Sequence, residues 1–383
     1  MRRRLTLITE IIAPYRVPVF NALAARDDID LHVVFLSQTD PNLRQWDVPL
    51  SEIRFSFEVL PSFRRRIKKY NLLLNRGLTR ALARQRPEAI LCGGYNYVAS
   101  WQAALWARKR RIPFLLWIES TAFDQRKKRA LVEGLKRKFF GLCSGFVVPG
   151  RSSADYLREF DVSDRKIFRA PNAVDNALFS EGAQEARRDA ANVRTRLELP
   201  DRYFLYVGRL VEAKGVFELL DAYAKLEESL RSIIGLVFVG GGKARSQLES
   251  RAAPVVPGKI RFVGFVQKEQ LPAYYALCDA LMFPTHSDPW GLVVNEAMAS
   301  GSAIVTTDVA GCAADLVENG GNGFVVASKS VTPLADAMQN LVSHDELRRQ
   351  MGLRSIDRIQ DYSPDACAAG IARAAGVACE EGP

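Results

Sequence analysis

Short apolar runs recur along the chain, separated by segments of helix length. In the first half these are Leu5 to Thr9, Leu31 to Leu36, Ala89 to Cys92, Phe114 to Trp117 and Gly145 to Val148. In the second they are Tyr203 to Val207, Gly235 to Val239, Lys259 to Val263, Ala280 to Phe283, Ala303 to Thr306 and Gly323 to Val326. Continuous apolar runs are strands buried on both faces, and their alternation with helices predicts doubly wound parallel sheets. The clearest unit is FPTHSDPWGLVVNEAMASGSAIV, from Phe283 to Val305. A strand ends at Phe283, a polar loop holds two prolines and Gly291, and a helix starting at Leu292 stops at Gly301 before the next strand, which is a βαβ unit.

The pattern runs twice, so the fold class is α/β with two Rossmann-like domains in tandem. A length of 383 residues agrees, since single cores rarely grow past about 250 to 300 residues. The join falls near PNAVD, Pro171 to Asp175. The first domain is assigned to 1–172, the second to 173–362, and the Ala-rich helical segment 363–383 returns to cover the first domain. The start, MRRRLTLITEIIAP, mimics a signal peptide, but Glu10 interrupts its apolar run. It is expected to be the first strand. The six cysteines form no C-x-x-C pair, which suits a reducing cytoplasm and argues against a zinc site.

Charge is unevenly placed. Residues 1–180 hold 32 Lys and Arg against 17 Asp and Glu, or +15 within a whole-chain balance of +10, which leaves the remainder at −5. The cations cluster at Arg64, Arg65, Arg66, Lys68 and Lys69, beside Phe63 and Tyr70, and at Arg126, Lys127, Lys128 and Arg129 near Lys136 to Lys138. Arg76, Arg80 and Arg84 form a stripe at helical spacing. Like charges so close repel, and an anionic lipid surface attracts such patches by about 1 kcal/mol per cation. Peripheral attachment to the inner face of the cytoplasmic membrane is therefore expected, the alternative being a solvated basic surface. Nucleic acid is a poorer match, because no stacking or helix-turn-helix context accompanies the cations.

Candidate chemistry collects in the acidic half. Ligands of open α/β sheets bind beyond the carboxyl ends of the strands, and each motif here follows a strand. After FLYVG come Gly208, Arg209 and Lys214, the last beside Gly215 where a helix opens. Two cations at that place would hold a diphosphate, one through its fork and the other as a point charge; a solvated turn is the plainer reading. Gly240, Gly241 and Gly242 follow the next strand and permit close backbone approach, without the G-x-G-x-x-G spacing of a dinucleotide site. Backbone groups around Gly264, Phe265 and Val266 are placed to read a nucleobase. Asp288 and Glu296 stand eight positions apart, and the N–H groups of Gly291, Leu292 and Val293 form a helix start that attracts phosphate. Asp28-Ile29-Asp30 is a D-x-D to which no metal role is assigned, and His286 is either a ligand contact or a loop residue.

The G-R at Gly208 and Arg209, the K-G at Lys214 and Gly215, the glycine turn, and EAMASG at Glu296 to Gly301 resemble the donor domain of retaining GT-B enzymes of glycosyltransferase family 4. PNAVD with Phe179 resembles the family's interdomain segment. The match covers about residues 140 to 330, while APYRVPVFNAL resembles a bacterial cell-surface polysaccharide branch. The resemblance implies two Rossmann-like domains facing a cleft. It also implies transfer of a hexosyl unit from a nucleoside-diphosphate sugar to a glycan hydroxyl, with retention, no metal and no cofactor beyond the donor; the basic first half adds the expectation of a lipid-linked acceptor.

By the same resemblance Arg209 and Lys214 bind the donor diphosphate, and Glu296 accepts from the ribose. Asp288 takes a sugar-facing place where the family has Glu. The family's glycine-rich first loop is here Glu10 to Arg16, carrying Tyr15 and Arg16 but no glycine. Glu119 stands where relatives have a histidine, and completes a catalytic set with Arg209, Lys214 and Asp288. A GT-B sugar-nucleotide epimerase is the nearest alternative enzyme, and a nucleic-acid binder the alternative of another class.

Overall fold

A computed structural model describes residues 2–39, 50–67, 70–123 and 130–382. The chain forms two compact units, one built from most of the chain to Val174 together with Ser363–Pro383, the other from Asp175–Tyr362. It passes from one to the other at helix starts: Asp175 Oδ1 accepts from the Leu178 N–H at 3.1 Å, and Ser363 Oγ from the Ala366 N–H at 3.2 Å. Such caps satisfy amides that a helix leaves without partners.

The first unit contains β1 (Arg3–Thr9), β2 (Ile29–Phe35), β3 (Ser56–Val59), β4 (Ser62–Ile67), β5 (Tyr70–Asn75), β6 (Ala89–Gly93), β7 (Phe114–Trp117), β8 (Gly145–Val148) and β9 (Ile167–Arg169). Among the described residues, seven strands form a parallel sheet in the order β3-β2-β1-β6-β7-β8-β9, and β4 pairs antiparallel with β5. Alternate residues serve opposite faces: Leu5, Leu7, Leu115 and Trp117 join one core, Ile8, Phe114 and Leu116 the other. The helices Val17–Ala24 and Pro364–Glu381 cover the first face, so the C-terminal helix does return to this unit. This helix packs closely enough on the sheet to require glycine at Gly370, where a Cβ would lie 2.3 Å from the Arg169 carbonyl.

The second unit contains β10 (Tyr203–Val207), β11 (Gly235–Val239), β12 (Ile260–Gly264), β13 (Ala280–Phe283), β14 (Ala303–Thr307) and β15 (Gly323–Val326), all parallel, in the order β12-β11-β10-β13-β14-β15. β10, β11, β13 and β14 are buried throughout. Strand order reverses between β10 and β13, which places a crevice at their carboxyl ends.

Two expectations for the basic half need correction. Arg76 lies outside the helix, which begins at Leu78 because Gly77 adopts a left-handed backbone, φ +87°. Only Arg80 and Arg84 remain on it, and Arg84 is paired with Glu58 at 2.6 Å. Arg64 turns inward to Glu10 at 3.1 Å, with its side chain 13% exposed, so it is not part of an outward patch. Arg65 and Arg66 lie on β4, Arg65 being exposed; Lys68, Lys69 and Arg126 to Arg129 lie outside the described residues.

Candidate functional site

The site is assembled at the reversal point of the second sheet. β10 delivers Gly208 and Arg209; Gly208 has φ +150° and Arg209 is exposed. The Tyr206 hydroxyl donates to the Arg209 carbonyl at 2.9 Å, holding this turn to the strand below it. The glycine run after β11 has two separate functions. A Cβ on Gly240 would lie 2.0 Å from the Gly208 carbonyl and one on Gly242 2.3 Å from that of Leu210, so these two glycines let protein loops touch. Gly241 meets nothing within 4 Å and is the one open to a ligand. Beyond β12, Gly264 has φ +96°, Phe265 is 47% exposed and Val266 is half-buried.

Lys214 closes a short 3-10 turn, and Gly215 after it has φ +69°. A Cβ there would come within 1.8 Å of the Pro284 carbonyl, so only glycine lets this turn press against the loop after β13. That contact brings Lys214 to Asp288: its Nζ donates to Asp288 Oδ2 at 2.5 Å and to the Ser287 carbonyl at 3.1 Å. Asp288 Oδ1 accepts from the Trp290 N–H at 3.1 Å, and its carbonyl from the Gly311 N–H at 3.0 Å. The carboxylate is thus fixed from both sides. Spacing along the chain gave no sign that Lys214 and Asp288 are one ion pair.

Gly291 caps the helix Leu292–Ala299 with φ +102°, packed so closely on the Phe283 ring that a Cβ would lie 2.5 Å from it. Leu292 and Val293 precede the first bond of this helix, from the Val294 N–H to the Gly291 carbonyl at 2.9 Å. One turn on, Glu296 is half-buried, and its Oε2 accepts from the Tyr275 hydroxyl at 2.6 Å. Burial pushes its carboxyl up to about 7 and the tyrosine bond only partly offsets this. His286 is buried with Nε2 3.1 Å from Glu218 Oε1, which identifies a packing partner for it.

In the first unit, Arg16 follows β1 and Glu119 follows β7. Arg16 Nη2 donates to Glu119 Oε1, and Arg16 Nη1 to Asn172 Oδ1 at 3.1 Å. Asn172 Nδ2 also donates to Glu119 Oε1, at 3.0 Å. The guanidinium lies over the Trp117 ring at 4.0 Å, with Tyr15 at 5.5 Å. Burial opposes the charge on Arg16, but Glu119 together with Tyr15 and Cys367 outweighs it and holds the guanidinium above its ordinary value. Asn172 and Trp117 were not singled out from sequence as site residues; Asn172 was legible only as part of PNAVD, and Trp117 only as the end of an apolar run.

Among the described residues no group of three or more His, Cys, Asp or Glu is placed to hold a metal ion. Asp28 of the D-x-D is bonded by Arg26 at 2.8 Å, which keeps its carboxyl below the usual range.

Two family models match, Glycosyltransferase Family 4 over residues 20–178 and Glycosyl transferases group 1 over residues 188–358. Alpha-D-kanosaminyltransferase of Streptomyces kanamyceticus is 34% identical over 175 residues, 45% of this chain and 44% of that protein. D-inositol 3-phosphate glycosyltransferase of Corynebacterium aurimucosum is 29% identical over 221 residues, 56% and 52% respectively. The match thus spans about half the length of these curated relatives. HepE of Anabaena, solved in complex with UDP, superposes with a TM-score of 0.75 over 98% of this chain and 100% of its own at 17% identity, a likeness of fold. One glycosyltransferase model thus matches each half of the chain, and the fold, with its two Rossmann-like units, is of the GT-B class.

Proposed function

We propose that the protein is a retaining hexosyltransferase that takes a nucleoside-diphosphate sugar in its second unit and passes the sugar to a hydroxyl of a glycan acceptor. The observation carrying this reading is the convergence of Arg209, the Lys214–Asp288 pair, the helix start at Gly291 and Glu296 on one edge of one sheet. That HepE was solved with UDP, and that the curated relatives are named as glycosyltransferases, support it.

Departure of the diphosphate places negative charge on its β-phosphate, and the chemistry is then chiefly stabilisation of that charge. Arg209 is exposed and offers its guanidinium fork. Lys214 uses two of its three N–H donors on Ser287 and Asp288, leaving one for phosphate. The amides of Leu292 and Val293 add the positive end of a helix. Asp288, already oriented by Lys214 and the Trp290 N–H, accepts from a sugar hydroxyl, and Glu296 from the ribose. The transfer proceeds without a metal, the acceptor hydroxyl attacking on the face the leaving group departs from. An epimerase would change a carbon of the donor and need no acceptor; no observation favours it.

The balance of +15 in the first 180 residues supports an anionic membrane surface as partner and a lipid-linked acceptor. The remaining outward cations include Arg65, Arg76 and Arg80. No helix among the described residues is long and apolar enough to cross a membrane. The test of the reaction is product analysis after incubation with the donor that binds. An acceptor glycoside of unchanged anomeric configuration, lost in Arg209→Ala, supports the reading, and inversion or free epimerised donor refutes it.

A further inference from the structure

The loop after β13 and the turn that opens the helix Val216–Lys225 meet through several links. The Ala213 carbonyl accepts from the His286 N–H at 3.0 Å, Gly215 lies against the Pro284 carbonyl, and Lys214 bonds to Ser287 and Asp288. The loop side is itself held to β14, where the Thr307 hydroxyl donates to the Thr285 carbonyl at 2.6 Å. One more link lies behind these. His286 turns its side chain inward, 7% exposed, and its Nε2 stands 3.1 Å from Oε1 of Glu218, in the first turn of that helix.

Packing alone does not account for this pair. A carboxylate in a first helical turn is favoured by the free amides there even when it points into water. The Glu218 side chain is nevertheless only 23% exposed, and its Oε2 is buried with no hydrogen-bond partner among the described residues. Burying a carboxylate is costly unless a donor or cation compensates it. His286 supplies that compensation, whereas an apolar side chain of equal size would fill the same space without it.

The position of the pair gives it a role. The Lys214–Asp288 bond also joins turn and loop, but a phosphate competes with Asp288 for the ammonium, so this link weakens when the ligand it serves arrives. His286 is buried and Glu218 stands one helical turn past Lys214, so their contact lies outside that competition. We infer that His286 is a positioning residue: through Glu218 it keeps the Lys214 turn in register with the Asp288 loop while the ammonium is drawn to the diphosphate. The inference rests on the transferase reading for what the turn holds, and on the geometry alone for the coupling.

Isothermal titration of the full chain with UDP, GDP, ADP and the matching monophosphates tests it. His286→Leu, His286→Gln, Glu218→Ala and the double variant of His286→Leu with Glu218→Ala are compared with wild type, each first checked for a cooperative melt. The diphosphate that binds wild type is expected to lose about fivefold or more in His286→Leu and in Glu218→Ala, and no more in the double variant than in the weaker single one, because the two residues act as one link. It should recover to within about twofold in His286→Gln, which offers an amide N–H in place of Nε2. The monophosphate, held mainly through its ribose, should change less than about twofold throughout. Diphosphate affinity unchanged in both single variants, losses that multiply in the double, no recovery in His286→Gln, or an equal loss of the monophosphate overturns the inference. Hydrogen exchange in the nucleotide-free protein reads the coupling by itself: the amides of Lys214 and Gly215, bonded to Val211 and Glu212, should exchange about fivefold faster or more in His286→Leu. Faster exchange with no nucleotide binding in any sample leaves the coupling standing and removes the transferase reading; unchanged exchange overturns the coupling whether or not a nucleotide binds.

Discussion

Two aspartates at opposite ends of β13 show how the same side chain acquires different roles. Asp279 precedes the strand, is buried, and accepts from Arg202 at 2.6 Å with Arg348 at 3.0 Å. Asp288 follows the strand and faces the crevice, paired with Lys214. Breaking a buried charge cluster costs roughly 3 kcal/mol or more, so Asp279→Asn is expected to lower the melting temperature while donor binding survives. Asp288→Asn is expected to do the opposite, and differential scanning calorimetry with and without donor checks both. Glu296 adds a pH dependence. Its folded carboxyl stands near 7 against an ordinary 4.5, so folding favours the protonated form. That contribution to stability is complete below about pH 4.5 and is lost as pH rises through about 7. Ribose hydroxyls donate best to the ionised acid, so nucleotide affinity should rise across pH 7 in wild type and stay flat in Glu296→Gln. Calorimetric titrations at pH 6 and 8 decide it. Residue types were legible at this scale because cations and acids after strands are conspicuous. Their pairing was not, since Lys214 and Asp288 are 74 positions apart and only the fold brings them together.

Elements were legible mainly where they are buried. β7, β8, β10, β11 and β13, buried throughout, lie at the bounds their apolar runs predicted, because a strand buried on two faces admits few polar residues; β15, a half-buried edge strand, does so through the apolar residues of its GFVV alone. β3 and β9 are edge strands of four and three residues with little burial, and the hairpin β4–β5 carries SFRRRI, whose charges hide its period. These escaped prediction for the same physical reason: where one face meets water, the pattern weakens. The loops of the site were legible only as glycines, whose purposes the structure separates. Gly215 illustrates the cost of losing one. A left-handed backbone alone costs an alanine about 1–2 kcal/mol, and the Cβ would also strike the Pro284 carbonyl. Gly215→Ala should therefore push the Lys214 turn off the β13 loop, lowering stability and donor affinity together. Gly241→Ala, with open space at its Cβ, should leave stability nearly unchanged and alter ligand affinity alone. Thermal melts with and without nucleotide read both effects.

Over the whole molecule, chemistry and charge divide between the halves. The groups proposed to hold phosphate sit in the acidic second unit and the excess of +15 in the first 180 residues, the arrangement expected if one half handles the donor and the other meets an anionic surface. Flotation with anionic liposomes should carry the protein upward at low salt and release it at high salt; Arg65→Glu with Arg80→Glu should weaken it. The central claim, a nucleoside-diphosphate sugar site at the reversal point of the second sheet, is tested most directly by thermal shift with UDP, GDP, ADP and their common sugars. A ligand at a hundred times its dissociation constant should add roughly 2.7 kcal/mol of stability. The account predicts that one nucleotide family shifts the wild type and that Arg209→Ala and Glu296→Ala abolish the shift. If no nucleotide shifts the wild type, or if the shift persists undiminished in both variants, the site is not where the structure places these groups.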